Sequence, residues 1–255
     1  MCQLLGVCAN RPVNIDFSLR EWRYRGRSNP HGYGFAFWKR KHPAVIKEPV
    51  SLFKKVLEEG NPVYGLRSHM FICHVRYASV GLLDGSNTHP FVCALGEKEY
   101  VFAHNGTLLF IKERPLHSLK PEGETDSEHA FLWMLEQLEG TPESHLDEHL
   151  RAIALDILES EPADRARFNF LMSDGRTLWA FADNSLHYIE RRPPFGGTLV
   201  SLRDARYSIS LAEVKGPDER AVLVATVPLT DEAGWRRLRR GKLLVVRHGR
   251  VVRIL

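Results

Sequence analysis

Cys2 directly follows the initiator methionine. Removing Met1 would leave a thiol and a free α-amine on one residue. The amine titrates near pH 8 in model peptides, so a usable fraction is neutral at physiological pH and can take the thiol proton. Cys2 would then be nucleophile and base at once, as an amino-terminal threonine can be. Three other positions offer matching chemistry. Arg76 closes an apolar run in His74-Val75-Arg76-Tyr77, where a guanidinium can grip a carboxylate through two parallel hydrogen bonds. Asn105-Gly106 puts an amide side chain beside a backbone N–H that a substrate can approach, the parts of an oxyanion hole. Asp126 follows Thr125 at the start of a helical pattern and brings a carboxylate. Taken singly, each has an ordinary reading. A cysteine is usually only packing, an arginine usually lies on the surface, Asn-Gly is the commonest two-residue hairpin turn, and the helix dipole alone favours an early aspartate.

These residues must be positioned by strands with a helical centre. Residues 2–9, 33–38, 44–47, 70–78 and 100–104 are short runs rich in Val, Ile, Phe, Tyr and Leu, bounded by Gly, Pro and Asn. A short amphipathic helix interrupts them at 51–60. Thr125-Asp126-Ser127-Glu128 fits a capping box, in which Thr125 accepts the Glu128 amide and Glu128 reaches back to the cap amide. Ala130, Phe131, Met134, Leu135 and Leu138 then mark one helical face that ends at Gly140. A second helix opens at Thr141-Pro142, with Leu146, Leu150, Ile153, Ala154, Ile157 and Leu158 as its stripe. Strands return at 167–172, 177–182, 186–191, 221–227, 242–247 and 251–255, and the links 173–176, 183–185 and 248–250 read as hairpin turns. Strands, then helices, then strands predict an α+β fold of two antiparallel sheets with helices on their outer faces.

The order of the motifs is more specific than any one of them. Cys2, Tyr24-Arg25-Gly26, His74-Val75-Arg76-Tyr77, Thr88-His89-Pro90-Phe91, Ala103-His104-Asn105-Gly106 and Gly123-Glu124-Thr125-Asp126 together resemble the class II glutamine amidotransferases, which are N-terminal-nucleophile hydrolases. The likeness is greatest to the stand-alone branch, through Met-Cys-Gln-Leu-Leu-Gly at 1–6, Pro-His-Gly-Tyr-Gly at 30–34 and Phe-Asn-Phe-Leu-Met-Ser-Asp-Gly at 168–175. It implies a four-layer αββα sandwich forming one amidotransferase domain over residues 2–255, with Met1 removed. It implies that Cys2 attacks the side-chain amide of glutamine, that Asn105 and Gly106 hold the oxyanion, that Arg76 binds the substrate α-carboxylate, and that Asp126 binds its α-ammonium. It also assigns Ser79, His89 and Gly26 to the substrate side. The insert at 28–31 leaves the glycine loop to be matched by Gly26 or by Gly32 and Gly34. No cofactor is implied. Glutamine or another γ-glutamyl compound is the expected small-molecule partner. Its nitrogen would go to a separate ammonia-accepting synthase subunit, or the reaction would be simple γ-glutamyl hydrolysis. A silent binding module would keep Arg76, Asn105, Gly106 and Asp126 yet could dispense with the thiol.

Composition narrows the remaining classes. The 35 Lys+Arg against 31 Asp+Glu give a net +4 that is spread along the chain, without the basic stripe expected of a nucleic-acid binder. The densest cluster, Arg236 to Lys242 beside Trp235, reads as a solvated face. No apolar run approaches the ~18 residues that span a bilayer, and the amino terminus lacks a basic leader, so a cytoplasmic protein is expected. Cys8, Cys73 and Cys93 read as small buried hydrophobes. His74, His89, His104 and Asp126 could suggest a metal site, but their fifteen-residue histidine spacing matches no compact zinc pattern, so no metal is expected. The loops at 79–88 and 193–197 are the expected readers of the leaving group.

Overall fold

A computed structural model describes residues 2–78, 81–197, 199–203 and 206–255. Ser79, assigned above to the substrate side, lies outside the described residues. The chain runs β1 (Gln3–Val13), α1 (Asp16–Trp22), α2 (Arg25–Ser28), β2 (Tyr33–Lys39), β3 (His42–Glu48), α3 (Leu52–Glu58), β4 (Ser68–Val75), β5 (Phe91–Leu95) and β6 (Lys98–Thr107). The helical centre is α4 (Asp126–Leu138) and α5 (Leu146–Ser160). Then follow β7 (Arg167–Ser173), β8 (Thr177–Ala182), β9 (Leu186–Arg191), β10 (Leu199–Ser201), β11 (Ser208–Ser210), α6 (Leu211–Val214), β12 (Ala221–Ala225), β13 (Arg236–Leu238), β14 (Lys242–Arg247) and β15 (Arg250–Ile254).

Two large sheets form, ordered β13-β9-β12-β1-β4-β2-β3 and β15-β14-β8-β7-β6-β5, and every adjacent pair described is antiparallel. Strand alternation divides the apolar side chains among three cores. Leu4, Cys8, Ala36, Ile72 and Val224 from the first sheet meet Val101, Ala103, Leu171, Leu178 and Leu244 from the second. On the outer face of the second sheet, Phe102, Phe168, Phe170 and Phe181 pack against Phe131, Leu135, Leu150 and Ile157 of α4 and α5. On the outer face of the first, Leu5, Phe35, Phe71 and Cys73 pack against Leu19, Trp22 and Leu52 of α1 and α3. The layers are helix, sheet, sheet, helix, as the resemblance implies. Each sheet is apolar on both faces, so burial rather than strict alternation dominates its sequence.

Several local expectations change. The link at 183–185 is not a hairpin, because β8 and β9 lie in different sheets. The turn-forming residues carry the chain between sheets, and the Asn169 side-chain oxygen accepts the amides of Asp183, Asn184 and Ser185 at 3.0–3.1 Å. The basic cluster is not only a solvated face. It contains β13, whose Leu238 is buried, while Arg240 pairs with Asp183 at 2.8 Å and Arg237 donates to the Asn184 carbonyl. Cys93 is half-buried, because it lies on the edge strand β5. The capping box forms by half. Thr125 accepts the Glu128 amide at 3.1 Å, but Glu128 takes the amides of Glu122 and Gly123.

One glycine is imposed by a close approach. A Cβ on Gly34 of β2 would lie 2.0 Å from the His89 carbonyl oxygen and 2.8 Å from Pro90. Only a bare backbone lets that segment settle on the sheet. Gly34→Ala is therefore expected to cost about 1–3 kcal/mol through overpacking, measured by urea unfolding, and unchanged stability would show that the His89 segment moves aside freely.

Candidate active site

Cys2 stands one residue before β1, the strand paired between β12 and β4 in the first sheet. Gln3 lies opposite Val75, so the start of β1 is held beside the end of β4. There the Tyr77 amide donates to Cys2 Sγ at 3.2 Å. Burial pushes the thiol pKa up, while that amide and the Arg76 charge act in the opposite direction. The thiol is accordingly protonated at neutral pH.

Two cavities meet at Cys2. The first is tight, about 20 Å³, and is lined by Arg76, His89, His104, Gly106, Asp126 and Ser127 among others. Arg76 follows β4 and is buried, and its Nη1 donates to the Leu82 carbonyl at 3.0 Å. Asp126 opens α4, where Oδ2 accepts the Leu108 amide at 2.6 Å. Glu161, just past α5, holds the next two amides at Leu109 and Phe110. The loop beyond Leu82 is tied to the α4 entry, because the Asn87 side-chain oxygen accepts the Glu124 amide at 2.7 Å. The second cavity is larger, about 250 Å³, and is lined by Cys2, Tyr77, Asn105, Gly106, Arg165 and Arg167 among others.

Asn105 and Gly106 do not form a turn. They continue β6, opposite Asn169 and Phe168 of β7. A Cβ on Gly106 would sit 1.8 Å from the Arg167 carbonyl oxygen and 2.7 Å from His104 Nε2, so glycine is required there for close packing. The Asn105 backbone carbonyl accepts the Asn169 side-chain amide at 3.1 Å. Its own side chain is buried next to Thr226 Oγ1, which also accepts the Leu4 amide at 2.9 Å.

The three histidines come together, but not as ligands around a centre. The rings of His74 and His89 lie with centroids 4.2 Å apart, tilted by 39°. His104 contacts the Arg167 carbonyl through Nε2 at 3.0 Å and Ser127 Oγ through Nδ1 at 2.8 Å. Because a carbonyl only accepts, Nε2 carries the proton and Ser127 donates to Nδ1. That hydroxyl proton is then turned away from Asp126 Oδ1, 3.4 Å from Ser127 Oγ. Among the described residues no group of three or more His, Cys, Asp or Glu is arranged to hold a metal ion.

The structure thus brings Cys2, Arg76, His89, Asn105, Gly106 and Asp126 to one place. It does not bring Gly26, which lines neither cavity. Gly26 belongs to α2, where a Cβ would meet the Phe53 amide nitrogen at 2.7 Å, so its bareness serves the packing of α2 on α3. The loop at 193–197 also lies elsewhere, because Pro194, Phe195 and Gly196 line a separate hollow with Glu232. Arg165 and Arg167 line the larger cavity at Cys2 instead. Nothing in their local sequence marks them, and neither does anything mark Thr226. Tyr77 and Ser127 stand inside recognised motifs but carry no signal of their own.

The family model for class II glutamine amidotransferases matches residues 1–255. The chain belongs to this family. Among the relatives of this class II member, MJ1515 of Methanocaldococcus jannaschii is 39% identical over 99% of this chain and 71% of its own length. The Escherichia coli protein named "Putative glutamine amidotransferase YafJ" is 34% identical over 95% of this chain and 96% of its own. A 2.0 Å crystal structure from Pseudomonas aeruginosa, titled as a predicted glutamine amidotransferase, superposes with a TM-score of 0.72 at 29% identity, covering 99% of this chain and 100% of that one. The two-sheet sandwich is therefore the N-terminal-nucleophile fold of this family. No helix among the described residues is long and apolar enough to cross a membrane.

Burial sets the charge state of the cluster. Burial above all, and then neighbouring positive charge, lowers the pKa of His74 to about 3, and burial also lowers those of His89 and His104. All three are neutral in the folded protein at pH 7, whereas an unfolded chain titrates them near 6.5. As pH falls through 6.5 the unfolded state binds the extra protons, so stability falls with pH, approaching about 1.4 kcal/mol per pH unit for His74 well below 6.5. His74→Leu is expected to flatten the decline in unfolding free energy between pH 6.5 and 5, followed by urea titration. An unchanged slope would mean that His74 is already solvated.

Proposed function

We propose that this class II family member cleaves the γ-amide of glutamine or a related γ-glutamyl amide through Cys2. The observation that carries the reading is that one thiol lines both a tight cavity with Arg76, Gly106 and Asp126 and a larger one with Asn105 and Gly106. A glutamyl head bears a carboxylate and an ammonium, and Arg76 and Asp126 supply one partner of each sign. Ser127, committed to His104, leaves Asp126 Oδ1 available for the ammonium. The tight cleft has room for about one water molecule, so Arg76 must release the Leu82 carbonyl as the substrate carboxylate enters.

The raised thiol pKa makes a base necessary, and the α-amine freed by loss of Met1 supplies it. The thiolate adds to the γ-carbonyl, and the C–N bond breaks as the proton passes to the leaving nitrogen. Water then cleaves the γ-glutamyl thioester, releasing glutamate and restoring the thiol. The negative oxygen that forms at each addition needs a donor at Asn105. The Asn105 Oδ1 atom is buried without a partner, and Nδ2 faces Thr226 Oγ1 at 3.4 Å. Exchanging the two amide atoms lets the Thr226 hydroxyl donate to Oδ1 and turns Nδ2 toward the reacting carbonyl, which satisfies both groups. Thr226 is then a positioning residue for the oxyanion donor.

Wild-type protein incubated with glutamine is expected to release glutamate, and Cys2→Ala is expected to release none above background. Intact mass should show a chain lacking Met1, and retention of Met1 would remove the base and with it the mechanism. Arg76→Lys should raise KM at least about tenfold, because a point charge cannot reproduce the planar fork. Thr226→Val should lower kcat about tenfold with little change in KM, a smaller loss than the roughly hundredfold expected for Asn105→Ala. Equal effects of Thr226→Val on kcat and KM would argue for a structural role only.

A further inference from the structure

The turn that follows β6 carries three successive backbone amides, at Leu108, Leu109 and Phe110, and two buried carboxylates receive them. Asp126 Oδ2 takes the first at 2.6 Å, Glu161 Oε2 the second at 2.6 Å and Glu161 Oε1 the third at 2.9 Å. Of these four carboxylate oxygens, Asp126 Oδ1 is the one to which no backbone amide donates among the described residues. It is also the atom assigned above to the substrate α-ammonium. Both carboxyl side chains belong to residues more than nine-tenths buried, and the negative charges of both act on the neighbouring His104 ring.

Glu161 is held in place from several directions. α5 ends at Ser160 and Pro162 follows, and the residue before a proline is pushed into extended backbone, as Glu161 shows with ψ 149°. The Pro162 carbonyl then accepts the amides of Arg165 and Ala166, which turns the chain toward β7. Arg114 donates to the Asp156 carbonyl at 3.2 Å and to Ser160 Oγ at 2.9 Å, so the end of α5 is tied to the segment just beyond Phe110. Leu109 and Phe110 are 43% and 45% exposed, so their own packing does little to fix them. The bonds to Glu161 supply that constraint.

We propose that Glu161 is a positioning residue for the α-ammonium site: by occupying the Leu109 and Phe110 amides it keeps Asp126 Oδ1 vacant, and so sets the selectivity for ligands that carry an α-ammonium. The inference rests on the Asp126 assignment above and deepens it. Glu161 is not among the residues lining either cavity at Cys2, so it acts through Asp126 and not on the ligand. Without Glu161 the two amides lose their acceptor, which is costly in a partly buried turn. The adjacent carboxylate with an open oxygen is Asp126, and rotating to bridge Leu108 and Leu109 would turn Oδ1 away from the ligand.

The test measures binding by calorimetry in the Cys2→Ala protein, where no turnover intervenes, with glutamine and with glutaramate, which is glutamine without its α-ammonium. The protein should bind glutamine at least about thirtyfold more tightly, the scale of a charge-assisted hydrogen bond, and adding Asp126→Asn should bring that ratio near one. Glu161→Gln keeps the length but offers one acceptor oxygen to two amides, and should lower the ratio at least about fivefold through weaker glutamine binding, with glutaramate affinity little changed. Combined with Asp126→Asn, it should lower the ratio no further, because both act at one atom. Glu161→Asp, a carboxylate too short to reach both amides, should lower the ratio by a smaller factor and carries the test if the glutamine variant does not fold. A ratio unchanged by these substitutions at Glu161, or an equal loss for both ligands, overturns the proposal while leaving the Asp126 assignment intact. If Asp126→Asn itself leaves the ratio unchanged, the Asp126 assignment falls and this inference with it.

Discussion

The register of β1 between β12 and β4 is the interaction on which the cleft depends. Leu5 pairs with Ala225 on one side and Cys73 on the other, and the same ladder brings Cys2 beside Tyr77 and Leu4 beside Thr226. A slip of one residue would turn Leu4 and Leu5 to opposite faces and exchange the inter-sheet core for the helix-facing one. Both residues are fully buried, so such a slip is strongly disfavoured. The position of the thiol is therefore secured by apolar packing on both faces of a central strand. Groups near the sulfur then tune its reactivity.

The second organising feature is how the fold treats polar groups that it removes from water. Arg76, Asp126, His89 and His104 are buried in the lining of the tight cavity at Cys2, Asn105 is buried at the larger one, and the buried His74 ring lies against His89. Arg76 and Asp126 are each engaged by backbone at one edge. The histidines remain neutral, which avoids placing further positive charge beside Arg76. His104 links the two cavities, touching Ser127 next to Asp126 and the carbonyl of Arg167, which lines the larger one. Gly106 makes that link possible by leaving the Arg167 carbonyl unobstructed.

Much of this was legible in the chain. The strand runs around β2, β4 and β6, the paired stripes of α4 and α5, and the Thr125 cap rest on local periodicity and short-range hydrogen bonding, which sequence encodes directly. The motif order singles out Cys2, Arg76, Asn105, Gly106 and Asp126, which line the two cavities at Cys2. Elements with weak local signals were missed. β13 is built of arginines and owes its existence to pairing with β9, while α1 and α2 are short helices held by contacts with α3 and the sheet. The link at 183–185 carries good turn residues, but turn propensity cannot tell a hairpin from a crossing between sheets.

What the sequence determined by itself was the family and the α+β layering, because residue type and order carry that information. What only the tertiary structure decided was who stands opposite whom. Gly26 packs α2 against α3, the loop at 193–197 lies at another hollow, and Arg165 and Arg167 line the larger cavity at Cys2. Those placements come from strand pairings and sheet stacking between residues dozens of positions apart, such as Asn105 with Asn169 and Leu4 with Thr226. Side chains without a motif acquire a role only through such long-range contacts, since their chemistry depends on the neighbours that the fold supplies.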